Sequence, residues 1–156
     1  MSQIRSINDV KSLFQKLVRS FERRTQYGES QVDWVFDVAV TAWHIVDWYA
    51  KEANEDIGTT KQRVKKACPE LAVCEQICNG AKHLTLTDPK LSPFDITTGV
   101  HQTDDLKGIV MNVTPGDTNV DIVLTPLVMV TDRSGTQWEA IELFRKVIAF
   151  WQHELH

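Results

Sequence analysis

Two short stretches of this chain place ionisable side chains among large apolar ones. Residues 42–48 carry His44 and Asp47 about one helical turn apart, and residues 79–83 end at His83. A charge inside an apolar segment costs free energy unless it has a partner or a function. A histidine titrates near neutral pH, and an aspartate beside it can orient the ring for general acid–base chemistry. The pattern therefore predicts His44, Asp47 and His83 as catalytic residues.

Two helices must bring these residues together. On the second predicted helix the polar side chains fall in one stripe, roughly 120° wide at 100° per residue, formed by Asp33, Asp37, Thr41, His44, Asp47 and Lys51. On the third helix one face carries the facing polar residues if the helix continues through Gly80. Lysine and histidine suit an anionic group such as a phosphate oxygen. The residues predicted to bind the ligand are Asn79, Lys82, Glu75 and Asp37.

Two other interpretations of these residues stay open. A histidine, an aspartate and an asparagine between helices commonly form a hydrogen-bond network that fixes helix register. Alternatively, Cys68, Cys74, Cys78 and His83 offer one set of metal ligands, and His44 and Asp47 could bind a metal with His83, with Glu75 as a further candidate. The cysteines lack the two-residue spacing of zinc knuckles, so we expect buried thiols, no metal and no cofactor.

Length and charge limit the function classes. The 156 residues suffice for a single domain, 1–156, with 42% hydrophobic residues and a net charge of −4. Such a chain has no global basic field to hold nucleic acid, and its glycines form no phosphate-binding loop. The sequence shows no secretory signal, no run of membrane-span length and an odd number of cysteines, which together predict a cytoplasmic protein.

Hydrophobic spacing predicts four helices. The first starts after Ser6, with Asp9 in the capping-box position. The second runs from Ser30 to about Asn54 and is apolar nearly all round, which is typical of a central helix.

The other helices follow the same signals. The basic stretch 59–66 is interpreted as a short helix or turn with a solvated face. Pro69 suits the first turn of the third helix. Thr136 and Glu139 form the capping box of the last helix.

A β-hairpin is expected between the third and last helices. Residues 108–113 and 120–130 form two runs that are rich in β-branched side chains and partly alternate between apolar and polar residues. Pro126 in the second run indicates an edge strand or a bulge. Residues 84–135 are therefore an insertion in a helical core of residues 6–83 and 136–156. The predicted fold class is α+β, mainly α: a four-helix antiparallel bundle with a β-hairpin inserted between helices three and four.

The motifs also carry a resemblance to known proteins. Ala-Trp-His-x-x-Asp-Trp at residues 42–48, Cys-Pro-Glu-Leu-x-x-Cys at 68–74 and Asn-Gly-x-Lys-His at 79–83 look like a family of small bacterial and phage proteins. The arrangement also resembles HEPN domains, which are four-helix proteins of conflict systems that often dimerise and cut RNA.

In HEPN nucleases a polar residue on the second helix faces an arginine and, a few residues later, a histidine near the end of the third. The resemblance implies that His83 takes the histidine position and that Asp47 or His44 takes the second-helix position. Ile77 or Cys78 stands where the family has its arginine. The resemblance covers about half the chain and does not include the hairpin.

Three functions follow from these observations. The first is a HEPN-like helical protein of a bacterial or phage conflict system whose polar inter-helix site binds RNA or phosphate. The second is a non-enzymatic interaction protein, an inhibitor or adaptor in phage–host conflict, favoured by five tryptophans and the acidic balance. The third is a metal-dependent enzyme. We expect RNA or a protein as partner, no membrane contact, and self-association as a homodimer under each hypothesis.

Overall fold

The computed structural model describes residues 6–24, 31–83, 100–113, 120–132 and 134–156. In these ranges the chain is mainly helical with one small antiparallel sheet, as predicted at that level. The elements are α1 (Val10–Glu22), α2 (Gln31–Glu52), α3 (Ile57–Ala67), α4 (Pro69–His83), β1 (Val100–Val113), β2 (Val120–Thr131), β3 (Gln137–Glu139) and α5 (Ala140–Glu154). None of these helices is long and apolar enough to cross a bilayer.

Helix α1 begins three residues later than predicted, because Asp9 rather than Ser6 is its N-cap. The Asp9 carboxylate accepts the Ser12 N–H at 2.7 Å, and Ser12 Oγ accepts the Asp9 N–H at 3.1 Å. This capping box satisfies donors that the first helical turn leaves without partners. At the end of α2, Glu52 accepts the Val10 N–H at 2.7 Å, which fixes the start of α1 against α2.

Helix α3 is the main departure from the predicted four-helix bundle. The basic stretch forms a helix of eleven residues whose N-cap is Asp56. The Asp56 carboxylate accepts the Thr59 N–H at 2.8 Å. Thr60 and Val64 lie four residues apart and form the buried face of the helix. The described chain therefore has five helices where the sequence predicted four.

The extra helix lies between α2 and α4 in the chain and contacts both. Helix α3 runs back along α2, since Lys61 lies beside Asp47 and Lys65 lies over the Trp43 ring. A single residue, Cys68, then separates α3 from α4. Helix α4 packs on both neighbours, since Glu75 accepts a hydrogen bond from Lys65 and Cys78 lies beside His44.

The sheet has the order β1-β2-β3. Strands β1 and β2 pair antiparallel, and their register shifts between Thr103 and Lys107, where Lys107 lies opposite Pro126. Proline has no N–H for the ladder, so a bulge in the facing strand accommodates it. The sequence allows two alternatives for Pro126, an edge strand or a bulge. The structure shows the bulge, because β2, which carries Pro126, is the central strand of the sheet. The predicted turn at residues 114–119 lies outside the described residues.

Strand β3 is absent from the sequence prediction, which begins the last helix at Thr136. The Asp132 carboxylate accepts the N–H groups of Ser134 and Thr136 at 2.9 and 3.0 Å, and the Trp138 indole N–H at 3.1 Å. These bonds hold the turn so that β3 pairs with β2. Glu139 is then the N-cap of α5, which begins at Ala140.

One buried cluster joins all five helices to β2. Its largest fully buried members, Trp34 on α2 and Trp151 on α5, have no exposed surface. The Trp34 ring meets the Phe144 ring edge-on, with centroids 5.4 Å apart. Helix α2 packs against each of the other four helices, so its orientation determines which surface its polar stripe faces.

Candidate functional site

His44 lies on α2 beside an open pocket between α1 and α2. The pocket has a volume of about 370 Å³, and Lys16, Thr41 and Trp48 line it together with His44. The imidazole is half-buried, so one edge of the ring faces the pocket. Volumes of a few hundred Å³ are typical of small-molecule sites.

Lys16 of α1 brings a positive charge to this pocket. Its Nζ donates to Thr41 Oγ1 at 3.0 Å and lies 3.7 Å from Asp37 Oδ1. The Thr41 hydroxyl donates to the backbone carbonyl of Asp37 at 2.8 Å, which leaves an oxygen lone pair for the ammonium. The side chains of Lys16 and Asp37 are 34% and 42% exposed. An ion pair this exposed contributes at most about 1 kcal/mol, so the ammonium can reorient toward a ligand.

Asp37 and His44 are the predicted site residues that line the same pocket. Lys16 was missed by the sequence reasoning, although a signal for it exists. It lies three residues after Leu13 and one before Leu17, both of which are buried. A lysine at the edge of an apolar helix face must extend its ammonium along that face, toward whatever packs there.

Asp47 lines a neighbouring pocket of about 600 Å³ rather than the one beside His44. This second pocket is bordered by Asn8, Lys51 and Glu52, and Trp48 is common to both pockets. Trp48 therefore borders two neighbouring cavities.

Both Asp47 and Glu75 are paired with lysines of α3. Lys61 Nζ lies 3.3 Å from Asp47 Oδ1, outside hydrogen-bond geometry, and Lys65 Nζ donates to Glu75 at 2.8 Å. The two ammonium groups lie 5.6 and 5.9 Å from the ring centroid of Trp43, which is 4% exposed. The two acids thus hold a pair of cations over one indole. Through these cations, Asp47 and Glu75 have a structural role where α3 packs on α2.

The predicted residues of α4 are only partly described. Helix α4 continues through Gly80, so His83 lies at the end of this helix. Asn79 is half-buried and follows the buried Cys78. The side chains of Lys82 and His83 lie outside the described residues, so their meeting with the α2 stripe stays a prediction.

The three cysteines are buried, reduced thiols, as the sequence predicts. Burial, together with the Glu70 carboxylate 3.3 Å from Sγ, raises the pKa of the Cys68 thiol to about 12. Burial also raises the pKa of Cys74. The thiol of Cys78 has a different neighbour, since its Sγ lies 4.0 Å from His44 Nε2.

Among the side chains that the structure describes, no group of three histidine, cysteine, aspartate or glutamate residues is arranged to hold a metal ion. The metal set proposed from sequence includes His83, whose side chain is not among them. Among the described side chains, no third metal ligand therefore lies with His44 and Asp47.

Comparison with known proteins returned no matching family model, no matching curated protein and no matching solved structure. Fold and site together define a class only: a mainly helical protein with a pocket where α1 packs on α2, lined by both apolar and charged side chains.

Proposed function

We propose that this chain is a HEPN-like helical protein of a bacterial or phage conflict system, and that its α1–α2 pocket binds a phosphate group of RNA. The observation that carries the proposal is that Lys16 and His44 share one pocket with Trp48. The family resemblance of the α2 and α4 motifs supports the same class.

The chemistry of the pocket suits one nucleotide. The Lys16 ammonium and the His44 ring offer donors to phosphate oxygens, and charge-assisted bonds of this kind are the strong ones. The Trp48 indole offers a face on which a base can stack without sequence preference. Because Trp48 also borders the second pocket, a single strand can continue past it.

The acidic residues near the pocket limit the affinity. Asp37 already pairs with Lys16, and the chain carries a net charge of −4. Binding therefore depends on local contacts rather than on a long-range field. For one neutralised phosphate on a single strand, we expect log affinity to fall with log salt at a slope of about −0.7.

Catalysis is a separate step of this proposal. His44 supplies the imidazole that lines the pocket and would transfer the proton, while the resemblance assigns Asp47 and His83 to the same reaction. Ile77 and Cys78, at the position of the family's arginine, are both buried. In HEPN nucleases a second copy of the chain completes the site, so the proposal includes a homodimer. Three reduced thiols fit a reducing cytoplasm. Cleavage is measured separately from binding, on the same RNA.

The test is fluorescence anisotropy with a labelled single-stranded RNA and a duplex of the same sequence, at low salt. Lys16→Met should weaken binding of the single strand about tenfold, the effect of losing one charge-assisted bond. Lys11→Met, at an exposed position on α1, is the matched control and should leave binding unchanged. Equal effects of the two variants, or no binding by the unmodified chain, would refute the proposal. Gel analysis of the same RNA reports cleavage, which His44→Gln should abolish if His44 is catalytic.

A non-enzymatic inhibitor or adaptor is the second candidate, favoured by Ile7. This side chain is 39% exposed and lines the same pocket beside Trp48. An apolar rim around an aromatic residue suits a protein side chain. A photo-crosslinking residue at position 7 that captures one stoichiometric partner, in a chain that binds no RNA, would favour this function.

A further inference from the structure

Cys78 and His44 form a thiol–imidazole pair where α4 packs on α2. Cys78 Sγ lies 4.0 Å from His44 Nε2, and Cys78 is 1% exposed. His44 itself lines the open pocket of about 370 Å³ between α1 and α2. The imidazole therefore stands between the thiol and the pocket.

This neighbour distinguishes Cys78 from the other two cysteines. The Cys68 thiol donates to Glu70, so its nearest partner opposes loss of the proton. Cys74 is completely enclosed in the core, where burial raises the pKa of its thiol. An imidazole, in contrast, can accept the thiol proton and leave a thiolate, which is the nucleophilic form of cysteine.

We propose that Cys78 is a site of covalent modification by small uncharged electrophiles that enter the α1–α2 pocket, with His44 as the base. In the step, Cys78 Sγ forms a bond to the electrophilic carbon while the bond from that carbon to its leaving group breaks. The thiol proton passes to His44 Nε2, and the leaving group departs with the electron pair through the pocket. Cys78 is 1% exposed and does not itself line the pocket, so the half-buried imidazole first takes the proton and then rotates toward the pocket, which opens the path to sulfur. This proposal requires no RNA and stands apart from the function proposed above.

The test is alkylation of the native full-length chain with iodoacetamide, in which iodide is the leaving group. Peptide mass spectrometry of quenched time points gives a separate rate for each cysteine, so Cys68 and Cys74 serve as internal controls. We expect Cys78 to be modified at least about tenfold faster than either, as is typical of a thiol beside a base. Equal rates for all three thiols, rising together with added urea, would show labelling through unfolding and overturn the proposal.

His44→Phe keeps the ring and removes the base. It should slow alkylation of Cys78 about tenfold, whereas His153→Phe, on the exposed end of α5, should leave the rate unchanged. If His44→Phe does not fold, His44→Asn replaces it with a small polar side chain that is not a base. An unchanged or faster rate in the folded variant would show that His44 only covers the thiol, and would also overturn the proposal.

Discussion

Two buried tryptophans offer a matched test of hydrogen bonding in the core. Trp34 and Trp151 both have no exposed surface. The Trp34 indole N–H donates to the Ser20 carbonyl at 3.0 Å. The Trp151 Nε1 has no hydrogen-bond partner in the described part of the chain. Replacing each by phenylalanine removes the same ring and the same N–H, but only at Trp34 is a bond lost.

The expected difference in the free energy of unfolding follows from these contacts. Each replacement leaves a similar void, which costs roughly 1–2 kcal/mol at either position and cancels in the comparison. Trp34→Phe also loses a hydrogen bond, a further cost of about 1 kcal/mol. Trp151→Phe removes a buried donor without a partner, whose burial costs about 1–3 kcal/mol. Trp34→Phe should therefore be less stable than Trp151→Phe by about 2 kcal/mol or more.

Urea unfolding followed by far-ultraviolet circular dichroism measures this difference independently of tryptophan fluorescence. With a slope of roughly 2 kcal/mol per molar urea, the two midpoints should differ by about 1 M. Both variants must keep the slope of the unmodified chain for the comparison to hold. If Trp151→Phe proves as destabilising as Trp34→Phe, the assignment of bonded and unbonded indoles is refuted.

Two further predictions concern the glycines and the thiols. In α3, a Cβ at Gly58 would meet only Asp56 Oδ2, at 3.4 Å, so Gly58→Ala should stabilise the protein by about 0.5–1 kcal/mol. Gly135 has φ +85°, so Gly135→Ala should destabilise it by about 1 kcal/mol; melting temperatures that shift in the same direction for both would contradict this. The pKa of Cys68 lies at about 12 in the folded chain against an ordinary 9.0, so above pH 9 the unfolded state loses its proton first and stability should fall toward pH 12. Cys68→Ala should flatten this fall in the urea midpoint, whereas parallel pH profiles would show that another group causes it.

The predictions that succeeded depend on local signals. Pro69 at the start of α4 and the apolar circumference of α2 are properties of a few neighbouring residues. The start of α1 was misplaced because both Ser6 and Asp9 can cap a helix, and only the reciprocal bond from Ser12 decides between them. Strand β3 was missed for a similar reason, since the Asp132 turn that holds it is made of contacts across several residues.

The candidate site was harder to predict than the helices. The predicted stripe placed His44, Asp37 and Asp47 on one helix, as the structure does, but it contains no information about their partners. Lys16 comes from α1 and Lys61 from α3. Because the sequence of residues 59–66 fits either a short helix or a turn, it offers no reason to expect Lys61 beside Asp47. Side-chain partners between helices depend on packing, which periodicity along one helix does not specify.

The single residue between α3 and α4 has a mechanical consequence. Lys65 of α3 donates to Glu75 of α4 at 2.8 Å across this joint, and Lys61 lies near Asp47 of α2. With only Cys68 between the two helices, a displacement of the end of α3 must also displace the first turn of α4. Because α4 carries Cys78, the spacing between Cys78 and His44 is sensitive to how α3 is seated on α2.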